Sequence, residues 1–156
     1  LVIHCADVPN GRPTTIRELD MWQAERCLKG ELRARDEAAL RSFNPQWSYV
    51  AYHFFIGLLG GWEALRREDE VGSHIAPNKA LGAYNSDSLG VVLVGRDKYT
   101  LPQWIALRQL IEDIRRRYGD ISIDGHCALN SGRTCPGFDV AAWLAGGLQT
   151  PPEHVL

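Results

Sequence analysis

The sequence predicts an α/β fold: a single domain with a central mixed β-sheet flanked by helices. Three observations carry this. Short β-branched and aliphatic runs, such as residues 1–3 and 89–95, alternate with segments of helical periodicity, the pattern of a sheet packed by helices. A Gly60-Gly61 pair between two apolar segments marks a hairpin, so one strand pair is antiparallel and the sheet is mixed. The chain of 156 residues, 45% hydrophobic, is long enough to bury roughly 70% of its unfolded surface in one core.

The elements follow in chain order. Leu1-Val2-Ile3 is a β-branched run that predicts a strand ending at His4, with the histidine at the rim of the sheet. Thr15 and Glu18 form a capping box, and Ile16, Leu19, Trp22 and Gln23 fall at helical spacing, so a helix is expected to about Leu28, with Gly30 breaking it. Residues 31–42 are highly charged and read as a second, solvated helix ended by Asn44-Pro45. Residues 49–59 are aromatic and aliphatic throughout and predict a long buried strand. Alternation along it sends Tyr52 and His53 to opposite faces. Residues 62–66 are the returning strand. Residues 68–88 are polar and irregular, and a loop of that length inside a compact domain is commonly functional. Residues 89–95 form the clearest buried strand. Thr100 and Gln103 cap a long helix whose apolar face is Trp104, Leu107, Leu110, Ile111, Ile114 and Tyr118. Arg115, Arg116 and Arg117 suit its C-terminal dipole, and Gly119 ends it. Residues 121–123 alternate like a strand, and Asp139 caps a short closing helix. Residues 1–148 are expected to form the domain. Residues 149–156 read as a loose Pro-rich tail in which His154 is exposed and idle.

Composition excludes several classes. A net charge of −2 with no basic excess argues against a nucleic-acid partner. The apolar stretches are far shorter than the ~20 residues of a membrane span. No signal-peptide pattern is visible, so the chain is expected to be made without one or to have lost it before Leu1. Cys5, Cys27, Cys127 and Cys135 lack the spacing of a disulfide scaffold and are expected as reduced thiols. A monomer is expected.

The chemistry concentrates between His126 and Cys135, a loop that brings an imidazole and a thiol close together. These are the side chains that bind zinc best. A catalytic zinc takes three protein ligands and keeps one position open. His4, at the end of the first strand, completes a His-His-Cys set if that strand neighbours the one before His126. Cys5 and Cys127 remain alternative thiols, ranked below Cys135 because each adjoins a histidine and adjacent residues rarely point at one ion. Taken alone, His4 is more readily a hydrogen-bonded structural histidine. A four-ligand structural zinc site would need Cys5, Cys127 or His53 as well.

These residues carry a resemblance. Val2-Ile3-His4-Cys5, Tyr52-His53-Phe54, Gly72-Ser73-His74, Tyr84-Asn85 with Ser88-Leu89-Gly90-Val91, and His126 with Arg133-Thr134-Cys135-Pro136-Gly137-Phe138-Asp139 stand in one order along nearly the whole chain. The chain resembles the zinc-dependent N-acetylmuramoyl-L-alanine amidases of the amidase-2 and peptidoglycan-recognition superfamily, most of all the phage lysozymes of amidase type. The resemblance implies Zn2+ held by His4, His126 and Cys135, with Tyr52 and Arg133 catalytic and His74 and Asn85 lining the substrate groove. It implies hydrolysis of the amide between N-acetylmuramic acid and L-alanine of peptidoglycan, and action on the bacterial cell wall. Two departures stand out. Arg133 replaces a family lysine, and a guanidinium holds an anion but cannot shuttle a proton. The segment of residues 27–46 is longer than in the compact phage enzymes and is expected as a helix flanking the groove. The alternative function is a peptidoglycan-binding module without catalysis. Such members typically lack the cysteine, whereas Cys135 is present here.

Overall fold

The computed structural model describes residues 1–156. Its centre is a five-stranded sheet in the order β3-β2-β4-β1-β5, formed by β1 (Val2–Cys5), β2 (Phe54–Ile56), β3 (Glu63–Ala64), β4 (Gly90–Leu93) and β5 (Asp124–Gly125). Four strands run parallel, and β3 pairs antiparallel with β2 at one edge. The sheet is therefore mixed, as the hairpin signal predicts. Gly60 and Gly61 both adopt positive φ in the β2–β3 connection, a conformation open to glycine at little cost.

Helices cover both faces. The long helix α3 (Leu101–Tyr118) buries Trp104, Leu107, Leu110, Ile111 and Ile114 against Ile3, Phe54, Ile56, Val91 and Leu93. On the other face, α1 (Ile16–Leu28) places Ile16 and Leu19 against Phe55, Val92 and Val94. Both helices carry the expected capping boxes at Thr15 and Thr100. The short helices α2 (Glu37–Ser42), α4 (His126–Leu129) and α5 (Val140–Ala145) complete the chain, and Asp139 caps α5 by accepting from Ala142 N at 2.9 Å. No helix is long and apolar enough to cross a membrane.

Several expectations change. The returning strand is Glu63–Ala64 and not residues 62–66, and Tyr118 is exposed, its hydroxyl donating to Glu68, instead of joining the apolar face of α3. The strand expected over residues 49–59 shrinks to three residues because α1 takes the place of a strand partner. Asp20 Oδ1 accepts from Tyr49 N and Val50 N, and Gln23 Oε1 accepts from Ala51 N at 2.8 Å. The strand expected at residues 121–123 forms one step later, at Asp124–Gly125, where Asp124 N donates to Leu1 O. Only the second half of residues 31–42 is helical, with Asp36 as its cap. Arg35 in the first half is buried, forming a bidentate pair with Glu70 at 2.9 and 2.8 Å and donating to three backbone carbonyls. The solvated-helix reading fails there because a guanidinium with every donor used can be enclosed. Finally, the C-terminal tail is not loose. Tyr99 N donates to His154 O and Leu156 N to Tyr99 O, and His154 Nδ1 lies 2.7 Å from Asp97 O. His154 is half-buried against Phe138 rather than idle in solvent.

Candidate active site

Strand alternation puts His4 where it is needed. Ile3 and Cys5 point into the α3 core, so His4 between them shares the α1 face with Val92, its partner in register. Its side chain leaves a face of the sheet, not the rim expected for a strand-end residue. Next to it, β5 pairs with β1 through Asp124 and Gly125 and delivers His126 one residue later, at the start of α4. The two rings come to a centroid distance of 4.6 Å. The loop after α4 returns Cys135, and its base is closed by Cys127 N donating to Cys135 O at 2.8 Å.

One nitrogen each of His4 and His126 and the sulfur of Cys135 thus lie within 4.8 Å of one another. Cys5 and Cys127 stay outside this cluster. Cys5 still contributes: its backbone N–H donates to Cys135 Sγ at 3.0 Å, a bond that favours thiolate character. All four cysteines are unpaired. The cluster opens into a groove of about 980 Å³ that also takes in Tyr52, His74, Asn85 and Arg133. Residues 30–33 line it as well, so the long segment contributes part of the groove, whereas its helix α2 does not.

Tyr52 packs beside His4, with ring centroids 5.0 Å apart. His53 is buried behind it, accepting from Gly90 N at Nδ1 and lying 2.8 Å from Glu70 O through Nε2. The two side chains diverge, yet both rings approach His74, at 6.4 and 5.8 Å, because they precede the regular part of β2. Arg133 is exposed on the groove. His74 is buried, with Nδ1 only 3.0 Å from His4 Nε2. Asn85 clamps the loop that bears His74: Oδ1 accepts from His74 N and Ile75 N, and Nδ2 donates to Ile75 O.

The electrostatics suit lone-pair donation. Burial holds His4 well below the usual imidazole range, and His74 and His126 beside it add to the effect. Burial lowers His126 too, helped by Arg133, and takes His74 to about 3. The imidazoles are therefore neutral near pH 7. Burial pushes the Tyr52 hydroxyl up, so it remains a proton donor. In the absence of a cation, the neighbouring Cys5 thiol and burial push Cys135 up. A bound cation reverses this, since a coordinating thiol loses its proton. The donor set fits zinc: two imidazoles and a thiolate, three rather than four, with the groove beside them for water or substrate.

The family profile described as N-acetylmuramoyl-L-alanine amidase matches residues 1–138. The chain belongs to this family. It is an amidase that acts on peptidoglycan. The chain is 29% identical over 153 residues to the endolysin of Enterobacteria phage K11, covering 93% of this chain and 84% of that protein. It is 28% identical over 162 aligned positions to the endolysin of Klebsiella phage KP32, covering 99% and 90%. Among solved structures, the endolysin N-acetylmuramoyl-L-alanine amidase LysCS from Clostridium intestinale URNW superposes with a TM-score of 0.67 at 21% identity, over 96% of this chain and 82% of that one. That likeness establishes the shared fold.

Sequence reasoning missed two things here, the burial of Arg35 and the contact of His74 with His4. Arg35 gave no signal, because a buried arginine and a solvated one look alike in a charged run. Residues 30–33 line the groove, as expected of a segment flanking it, but they are not helical. The contact of His74 with His4 spans 70 positions of sequence, and nothing in either motif announces it.

Proposed function

We propose that this amidase is zinc-dependent, with His4, His126 and Cys135 as the metal ligands and Tyr52 and Arg133 as catalytic groups. The carrying observation is the convergence of three donor atoms within 4.8 Å at the base of the groove. When bound, zinc supplies a Lewis acid that polarises the scissile carbonyl and makes water nucleophilic near neutral pH.

The protein's own groups account for the rest. Attack on the amide between N-acetylmuramic acid and L-alanine builds negative charge on the carbonyl oxygen. Tyr52, kept protonated by burial and adjacent to His4, donates a hydrogen bond to that oxygen. Arg133 adds a fixed positive charge from the groove. Being a guanidinium, it stabilises the anion without moving a proton, so the proton taken up by the leaving amine comes from the attacking water. In this reading the glycan and the peptide lie in the groove on either side of the bond. Asn85 and His74 border it, and their internal hydrogen bonds make them supports of the groove wall. The resemblance to phage lysozymes and the endolysin relatives support lysis of the bacterial cell wall as the setting.

The test is a digest of purified peptidoglycan alongside metal analysis. The expected result is one zinc per chain, release of free stem peptide, loss of release on chelation, and recovery when zinc is restored. A chain that takes up no zinc, or releases stem peptide equally with chelator present, overturns the zinc mechanism.

A further inference from the structure

Behind the proposed metal triad lies a second histidine to which the mechanism gives no chemical task. His74 meets His4 edge-on, with ring centroids 5.1 Å apart and planes at 86°. The 3.0 Å contact between His74 Nδ1 and His4 Nε2 holds one proton. A neutral imidazole has one N–H and one lone pair. Which ring owns the shared proton therefore decides which nitrogen of His4 is free for a cation.

The far side of the His74 ring settles the ownership. Its Nε2 lies 3.4 Å from the carbonyl oxygen of Ser88 and 3.5 Å from Ser88 Oγ. The carbonyl can only accept. Ser88 Oγ sends its own proton to the Tyr84 carbonyl at 2.6 Å, so towards His74 it also accepts. Nε2 of His74 must then carry the ring proton, and Nδ1 presents a lone pair. The proton in the 3.0 Å contact belongs to Nε2 of His4, which leaves His4 Nδ1 as its free donor atom. We infer that His74 is a positioning residue: it locks His4 in the Nε2–H tautomer and so presents His4 Nδ1 to the cation shared with His126 and Cys135. This rests on the zinc reading of that triad.

The surroundings hold the His74 ring in place. Two glycines form its slot. A Cβ on Gly90 would stand 2.7 Å from His74 Cγ, and one on Gly72 would stand 2.7 Å from His74 Cδ2 and 2.9 Å from His53 Cε1. Neither position has room for a side chain while the ring is there. His53, fixed by Gly90 N and Glu70 O, packs edge-on against the ring, and Asn85 holds the backbone. Partners that orient a metal ligand through its second nitrogen commonly change metal affinity 10–100-fold when removed.

Two substitutions of similar size separate orientation from packing. His74→Asn keeps an acceptor, Oδ1, on the same branch of Cγ as Nδ1. His74→Leu fills the slot with no acceptor. Zinc affinity of the full chain, measured by competition with a chromogenic chelator, is expected to fall about 10–100-fold in His74→Leu and to stay near wild type in His74→Asn. Unchanged affinity in His74→Leu overturns the inference, and so does equal weakening in both variants, which would mark packing alone. Long-range 1H–15N correlation of the histidine rings in the metal-free wild type provides the direct reading. Protons on Nε2 of both His4 and His74 are expected; a proton on Nδ1 of His4 overturns the inference. Neither measurement uses peptidoglycan. A wild type that binds no zinc overturns the zinc reading together with this one, whereas normal zinc binding and normal stem-peptide release with an indifferent His74→Leu overturn this one alone.

Discussion

The two faces of the sheet are made by alternate residues of the same strands, and they differ in chemistry: one is apolar throughout, the other mixes an apolar cluster with buried polar groups. Towards α3, Ile3, Phe54, Val91 and Leu93 meet Trp104, Leu107, Leu110 and Ile111 in a core without ionisable groups facing it from the helix. Towards α1, Phe55, Val92 and Val94 still pack on Ile16 and Leu19, but the same stretch of β1 presents His4 with Tyr52, His74 and His126 around it, and the buried Arg35–Glu70–Arg66 ion pairs lie beyond His53. One strand thus serves both purposes at a spacing of one residue. The apolar face supplies burial, at roughly 25 cal/mol per Å² of apolar surface. The polar face is buried with nearly every donor matched, which limits its cost while keeping lone pairs available. Stability and function should therefore respond separately to changes on the two faces.

The largest expected effect is on the polar face. Cys135→Ser removes the thiolate from the triad, and peptidoglycan digestion should drop to the level of the chelated protein. The thermal midpoint of the metal-free protein should scarcely move, because Cys135 lies at the edge of the main core, not within it. A variant that unfolds outright would tie the site to the core and break the division.

The reverse experiment is Leu110→Ala in α3. Leu110 is fully buried, and such truncations cost about 2–5 kcal/mol. Urea unfolding should show that loss, while zinc affinity and turnover of the remaining folded protein stay close to wild type. Lost zinc affinity at a temperature where the variant is still folded would show that the α3 core also sets the geometry of the triad. Tyr52→Phe comes next. Removing one preorganised donor to an oxyanion typically lowers kcat about 10²–10³-fold. Zinc content should be unchanged, and near-normal turnover would take Tyr52 out of the mechanism.

How far these features were legible in the sequence follows the same division. The α3 face was plain, because apolar residues at helical spacing and a capping box specify a buried helix face by themselves. The triad residues were legible as donor types at the end of one strand, just after another and on the loop that follows, and the motif order joined them. What could not be read depended on polar groups finding distant partners. Residues 49–51 look like strand but lean on Asp20 and Gln23, side chains of α1. Arg35 looks like surface but is enclosed by Glu70 and three carbonyls. The tail looks loose, yet its backbone pairs with Tyr99. Hydrophobic burial announces itself through periodicity, whereas a satisfied buried polar group depends on a partner whose position only the fold decides.

The smallest expected effect is a pH dependence that belongs to the polar face alone. His4, His53 and His74 all titrate below their ordinary value in the folded chain, with burial the leading cause in each. In the unfolded chain they take up protons around pH 6.5. Below that pH the unfolded state binds more protons than the folded one, so their contribution is complete above about 6.5 and is lost as pH falls. For His74 the loss continues to about 3, its folded value. Each such proton adds a slope of about 1.4 kcal/mol per pH unit within its window. Thermal unfolding of metal-free protein between pH 6.5 and 4 should show a steep fall for the wild type and a shallower one for His74→Asn, which has one fewer imidazole to protonate. Carboxylates contribute equally to both proteins and cancel in the difference. Identical slopes would mean that the His74 ring is protonated in the folded state at these pH values, and the polar face would then be less well sealed than its buried rings indicate.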